Sequence, residues 1–176
     1  MKRVLLILFA ATLLFPACCD TSSRRDNLLK EIKKAEQELI AKDFNVTMEK
    51  SQRLMDLYLT FVEAFPQDSL APELLFCCAA VATASQQEKF AITLYQRIYD
   101  EYPDHAVRPI ALLEHALAYD NMGDAERAKP LYEQFLVMFP DHPYTEDVEH
   151  LLEMVDKSAE DWELFMQLLE NQVELE

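Results

Sequence analysis

Residues 109–140, PIALLEHALAYDNMGDAERAKPLYEQFLVMFP, align without a gap on residues 72–103, PELLFCCAAVATASQQEKFAITLYQRIYDEYP. Pro72, Leu75, Ala79, Ala91, Leu94, Tyr95 and Pro103 each stand 37 positions before Pro109, Leu112, Ala116, Ala128, Leu131, Tyr132 and Pro140. The same interval leads back to Leu57, Tyr58, Phe61 and the pair Phe65-Pro66, so an aromatic residue precedes proline three times in one register. A period of this size marks a stack of copied units, each too small to cover its own apolar face without a neighbour. Function in such a stack lies in surfaces rather than in enclosed pockets.

Glycine occurs once, as Gly123, which removes the glycine-rich turns that cradle phosphates, bind dinucleotides or expose a nucleophile. Leu, Ala, Glu, Gln, Met and Lys dominate, residues that lose little freedom in a helix. The expected fold is all-α, with about eight helices in antiparallel hairpins. Apolar spacing of three and four places them at about 26–42, 47–64, 70–85, 87–102, 107–121, 125–139 and 144–156, with a last one after Ser158. Ser158 followed by Asp161 reads as a capping box with a shortened acid, opening a helix that carries Trp162, Phe165, Met166, Leu169 and Val173. Each aromatic-proline pair ends a helix, because proline disfavours helical geometry at the residue before it. Pro109 fits a first helical turn, and Pro130 fits its own helix if it falls early enough.

The chain opens with Lys2 and Arg3, an apolar run from Val4 to Phe15, and Pro16-Ala17-Cys18-Cys19. Twelve apolar residues are too few to cross ~30 Å of hydrocarbon at 1.5 Å each, so residues 1–17 read as an export signal. A small residue before cysteine resembles the lipobox of bacterial lipoproteins, which implies acylation of Cys18, although Phe15 replaces the Leu that family prefers. Cys19 is the alternative acceptor, and with it Asp20 would favour retention in the inner membrane. Anchoring by several acyl chains is stable. Residues 18–25 then serve as lipid attachment and short tether, followed by a helical domain over 26–176.

Acidic residues outnumber basic ones 32 to 16, for a net charge of −16. Loss of residues 1–17 removes two basic residues and no acid, leaving 14 − 32 = −18. Nucleic acid and anionic lipid are disfavoured partners; a solvated helical surface explains the charge, and a basic partner is the sharper alternative.

Within 109–140 the order of small Ala116, aromatic Tyr119, turn Gly123, Ala128, Tyr132 and Pro140 resembles the tetratricopeptide repeat. The earlier unit keeps Ala79, Ala91, Tyr95 and Pro103, with Ala82 for the first aromatic and Gln86 for the glycine. Both units exceed the usual 34 residues by three, and Ile98 and Phe135 fill a position that is usually small. These departures resemble tetratricopeptide lipoproteins of the Gram-negative envelope, a group that includes the scaffold lipoprotein of the β-barrel assembly machinery and the Tol-associated periplasmic coordinator. Units are expected at about 30–66, 67–103 and 104–140, with capping helices over 141–176.

The resemblance implies a non-enzymatic, membrane-anchored scaffold that binds envelope proteins or peptides, in outer-membrane or cell-envelope assembly. It implies a location at the outer membrane facing the periplasm. Carried over by register, the partner-binding concave face comprises Glu73, Phe76, Ala80 and Thr83 from one unit and Ile110, Leu113, Leu117, Asp120 and Asn121 from the next. Terminal helices could cover its apolar members instead. An accessory cell-wall or carbohydrate-processing enzyme and a purely structural envelope lipoprotein are the alternatives.

No catalytic, cofactor-binding or metal-binding residues are expected. Cys77 and Cys78 are adjacent on a helix and point about 100° apart, which argues for packing rather than a disulfide. His105 and His142 both follow Pro-Asp at equivalent positions, so repeat geometry accounts for them; His115 and His150 lack zinc-ligand spacing. Asp68-Ser69-Leu70 resembles a bacterial three-residue O-glycosylation signal on Ser69, and capping of the next helix by Asp68 or Ser69 is the simpler reading.

Overall fold

The computed structural model describes residues 17–40 and 47–173. The apolar run of the export signal and the turn expected over 43–46 lie outside the described residues. Seven helices follow in order: α1 (Ala17–Ile40), α2 (Met48–Ala64), α3 (Ala71–Ala84), α4 (Glu88–Glu101), α5 (Arg108–Asn121), α6 (Ala125–Met138) and α7 (Thr145–Val173). Each packs on its neighbours in sequence, α1 on α2, α2 on α3, and so on to α7. Together they form a solenoid of hairpins, α1–α2, α3–α4 and α5–α6, closed by α7.

The period of 37 is visible in matching burial. Tyr58, Tyr95 and Tyr132 are buried at corresponding points of α2, α4 and α6, one helical turn before the fully buried Phe61, Ile98 and Phe135. Ala79 and Ala116 on the first helices of their hairpins, and Ala91 and Ala128 on the second, expose no surface; small residues here let the paired backbones approach. Phe65, Tyr102 and Phe139 end their helices with nearly equal backbone angles, φ −136°, −125° and −132° and ψ 57°, 60° and 55°. The proline that follows each forbids a further helical residue.

Beyond each proline the chain makes the same turn. The amides of Asp68, His105 and His142 donate to the carbonyls of Phe65, Tyr102 and Phe139, and the amides of Ala71, Arg108 and Thr145 then donate to the carbonyls of Asp68, His105 and His142. Asp68, His105 and His142 use their side chains alike. Asp68 Oδ1 accepts from the Leu70 amide at 3.0 Å, and the Nδ1 atoms of His105 and His142 accept from the amides of Val107 and Tyr144 at 3.3 and 3.2 Å. Histidine thus stands in for aspartate as the local acceptor of an Asx-like turn.

Four differences from the sequence expectation have physical causes. First, α1 already includes Ala17 instead of opening near Asp26. Residues 17–25 contain neither Gly nor Pro to interrupt the helix, and Arg25 docks on the α2–α3 turn through paired bonds to Asp68, one of them 3.1 Å. Second, α7 runs unbroken through Ser158 where a new helix was expected, so seven helices replace about eight. A capping box stops a helix only where the chain also turns, and nothing between Thr145 and Val173 forces it to turn. Third, Pro130 is the sixth residue of α6, past the first turn, so the Glu126 carbonyl loses its helical partner. Fourth, α3 has Leu70 at its N-cap position with no side-chain cap; Asp68 serves the turn just before it.

Candidate functional site

The odd-numbered helices line one face of the solenoid. The even helices place a buried tyrosine beneath each seam of that face. Tyr58 on α2 donates its hydroxyl to Glu36 on α1 at 2.8 Å and lies within the electrostatic reach of Cys77 on α3. Tyr95 on α4 touches Phe76 on α3, with ring centroids 5.7 Å apart, bonds Thr83, and feels the charge of Glu114 on α5. Tyr132 on α6 donates to Asp120 on α5 at 3.0 Å. Burial first, and the neighbouring carboxylates second, hold the Tyr58 and Tyr132 phenols above their ordinary range, so these groups act as hydrogen-bond donors at any physiological pH.

The nine residues expected on this face fall at helical spacing on α3 and α5. Glu73 and Ala80 are exposed on α3, whereas Phe76 and Thr83 are half-buried, Thr83 donating to the Ala79 carbonyl at 3.2 Å. On α5, Ile110, Leu117 and Asp120 are half-buried and Asn121 is exposed. Leu113, 8% exposed, belongs to the interior cluster with Leu112, Ala116 and Tyr132 and supplies a floor rather than a contact. Cys18 lies within α1, and its side chain lies outside the described residues.

Sequence reasoning missed Glu36, Cys77 and Glu114 as members of the face. The period could have found them: Glu36 and Glu73 share one register position, and Cys77 and Glu114 share another. Cys77 is half-buried, and its thiol is pushed up by burial and then by the charges of Glu36 and Glu73. Burial alone raises the Glu114 carboxyl. Among the described residues no ion pair joins Glu36, Glu73, Glu114 or Asp120 to a cation; the pairs lie elsewhere, as Arg25–Asp68, Arg53–Glu38, Arg97–Glu101 and Arg127–Asp124 show. The face is therefore apolar at Phe76, Ile110 and Leu117 and fringed by uncompensated negative charge.

Cys78 is buried, donates toward the Met55 carbonyl at 3.7 Å, and has its thiol pushed up to about 12 by burial. Among the described residues no group of three or more His, Cys, Asp or Glu side chains is arranged to hold a metal ion. No described helix is long and apolar enough to cross a membrane. Two depressions, about 550 Å³ beside Phe90 and Met122 and about 320 Å³ between the turns at Pro66 and Pro103, are open to solvent on one side and are not enclosed cavities.

Hairpins copied in one register, with small residues at the crossings and a tyrosine under each seam, define a tetratricopeptide-like α-solenoid. Residues 110–142 match the tetratricopeptide repeat family model. No curated protein matches the chain. Among solved structures it is similar to a crystal structure of nearly identical TPR-like repeats of a Podosopora anserina kinesin light chain. The identity is 16%, the TM-score is 0.52, and the match covers 86% of this chain and 89% of that one. It is also similar to the crystal structure of MamA, at 17% identity, TM-score 0.40, and coverage of 84% and 98%. The likeness to the kinesin light chain repeats concerns the fold.

Proposed function

We propose that this chain is a membrane-anchored, non-enzymatic scaffold of the bacterial envelope whose concave face holds a basic segment of a partner protein. The observation that carries the reading is the pairing of half-exposed Phe76, Ile110 and Leu117 with the carboxylates of Glu36, Glu73, Glu114 and Asp120. A segment that alternates apolar anchors with Lys or Arg complements both features, and exposed charge around an apolar strip steers encounter as well as register. Acylation of Cys18 supplies the anchor. Residues 18–25 belong to α1 and rise about 1.5 Å each, so Arg25, fixed by Asp68, sits only about 10 Å along the helix from the acylated residue. The solenoid then lies close to the membrane surface, and outer-membrane or cell-envelope assembly is the setting that suits it.

The test is photo-crosslinking in intact cells from residue 80, on the concave face, and from residue 93, exposed on α4. An adduct to one protein from position 80 and none from position 93 is expected. Glu73→Lys with Asn121→Lys should abolish it while helical circular dichroism persists, because both positions are exposed. Leu113 is unsuited to a charge because it is buried. Equal crosslinking from both positions, or an adduct that survives the charge reversal, would overturn the assignment of the face. For the anchor, Cys18→Ser is expected to move the chain from the membrane fraction to the soluble fraction.

A further inference from the structure

The interior divides into two clusters. One joins Ile32 to Ala111 and is built by α1 to α4 with the first turn of α5; the other joins Leu112 to Val155 and is built by α5, α6 and α7. His115 lies within this boundary helix, 5% exposed, and neither Nδ1 nor Nε2 has a hydrogen-bond partner. One unit earlier the same register position is Cys78, which reaches back to the α2 carbonyl of Met55; one unit later it is Leu152. A thiol or an alkyl group is at ease in such a contact. A neutral imidazole brings one donor and one acceptor, and leaving both unsatisfied in the interior is costly.

We infer that the packing of α5 on α4 is an acid-sensitive hinge, with His115 as the group whose protonation loosens it. On the α4 side the charged group acting on the ring is the Asp100 carboxylate; on its own helix the Tyr119 ring lies 5.2 Å away, and no titratable group of α6 or α7 acts on it among the described residues. Burial holds the imidazole below the ordinary histidine range, and Asp100 opposes this only in part. The sign follows from linkage. A folded-state value below the unfolded value of about 6.5 leaves the contact intact above that pH and erodes it as pH falls toward the folded value, by up to about tenfold in the opening constant per unit. The groove between α3 and α5 spans the same boundary, so opening changes the spacing of Phe76 and Leu117. The hinge does not depend on what the groove holds.

The experiment is urea unfolding of the full chain in non-ionic detergent, followed by circular dichroism from pH 7.5 to 5.0, for wild type and His115→Leu. All carboxylates and the other three histidines are common to both, so the difference isolates this ring. His115→Leu should be the more stable, with a gap that widens by up to about tenfold in unfolding constant per unit below pH 6.5. A gap constant with pH overturns the inference. Should His115→Leu not fold, hydrogen exchange of wild type, corrected for intrinsic rates, reads the same hinge. Loss of protection in α4 and α5 before α1 and α2 at pH 5 supports it, and uniform loss refutes it.

Discussion

Gln86 and Gly123 occupy the same place in successive hairpins, and both have positive φ, +60° and +73°. Each closes its helix by the same pair of bonds: the Gln87 and Asp124 amides reach back to the Ala82 and Tyr119 carbonyls at 2.9 Å, and the Gln86 and Gly123 amides reach the Thr83 and Asp120 carbonyls. This is the Schellman closure, which glycine enters without strain and glutamine does not. Gln86→Gly should therefore stabilise the fold by about 1 kcal/mol. Gly123→Ala should destabilise it by a similar amount through the backbone alone, since a Cβ there meets no atom within 4 Å. Shifts of the urea midpoint in opposite directions would show it. Glu114 offers a test of sign. Its carboxyl is raised by burial, so its ionisation opposes folding as pH climbs past the unfolded value. Glu114→Gln should raise stability by about 0.5 kcal/mol near pH 7 and leave it unchanged near pH 3, read as denaturation midpoints at both pH values. The glycine turn was legible from one residue, whereas the strained glutamine became legible only through its register with that glycine. The orphaned ring of His115 was legible by neither route, because it depends on what α4 presents across the contact.

The period predicts the helices bounded by a copied turn to within a residue or two, because each such turn is specified locally by an aromatic-proline pair and an acceptor two residues beyond. His105 shows what that acceptor contributes. His105→Ala removes the bond to the Val107 amide and should cost about 1 kcal/mol, while His105→Asn keeps a short acceptor and should be nearly neutral. Equal loss for both variants would mean that the ring packs rather than accepts. The terminal helices were the poorly read ones. α1 and α7 each have a copied neighbour on one side only, so register places no bound on their outer ends. Within the described residues both run on because no breaker interrupts them, and α1 is further held by the grip of Arg25 on Asp68. Side-chain depth was not legible from the period, which says which residues share a register position but not that Leu113 sinks while Leu117 stays half-open.

A stack whose members touch only their chain neighbours stores its stability in units and in the contacts between them, so damage at one end need not reach the other. The two interior clusters, divided at α5, give this chain a natural plane of division. Phe135 is fully buried in the C-terminal cluster, against Phe139 at 5.6 Å and His142 at 5.3 Å. Phe135→Ala should cost about 3–5 kcal/mol there. Cys78 reports on the other cluster. Its thiol, pushed up to about 12, reacts only when the N-terminal hairpins open, whatever the state of α6 and α7. In Phe135→Ala the urea titration should therefore split, with an early partial loss of helical ellipticity during which Cys78 stays unlabelled, then a later loss during which it reacts. Cys77, half-buried on α3, should label more readily than Cys78 throughout, so the reading is taken with Cys18, Cys19 and Cys77 replaced by serine. A single transition, with labelling and ellipticity sharing one midpoint, would mean that the contact of α5 on α4 transmits the loss whole and that the solenoid folds as one unit.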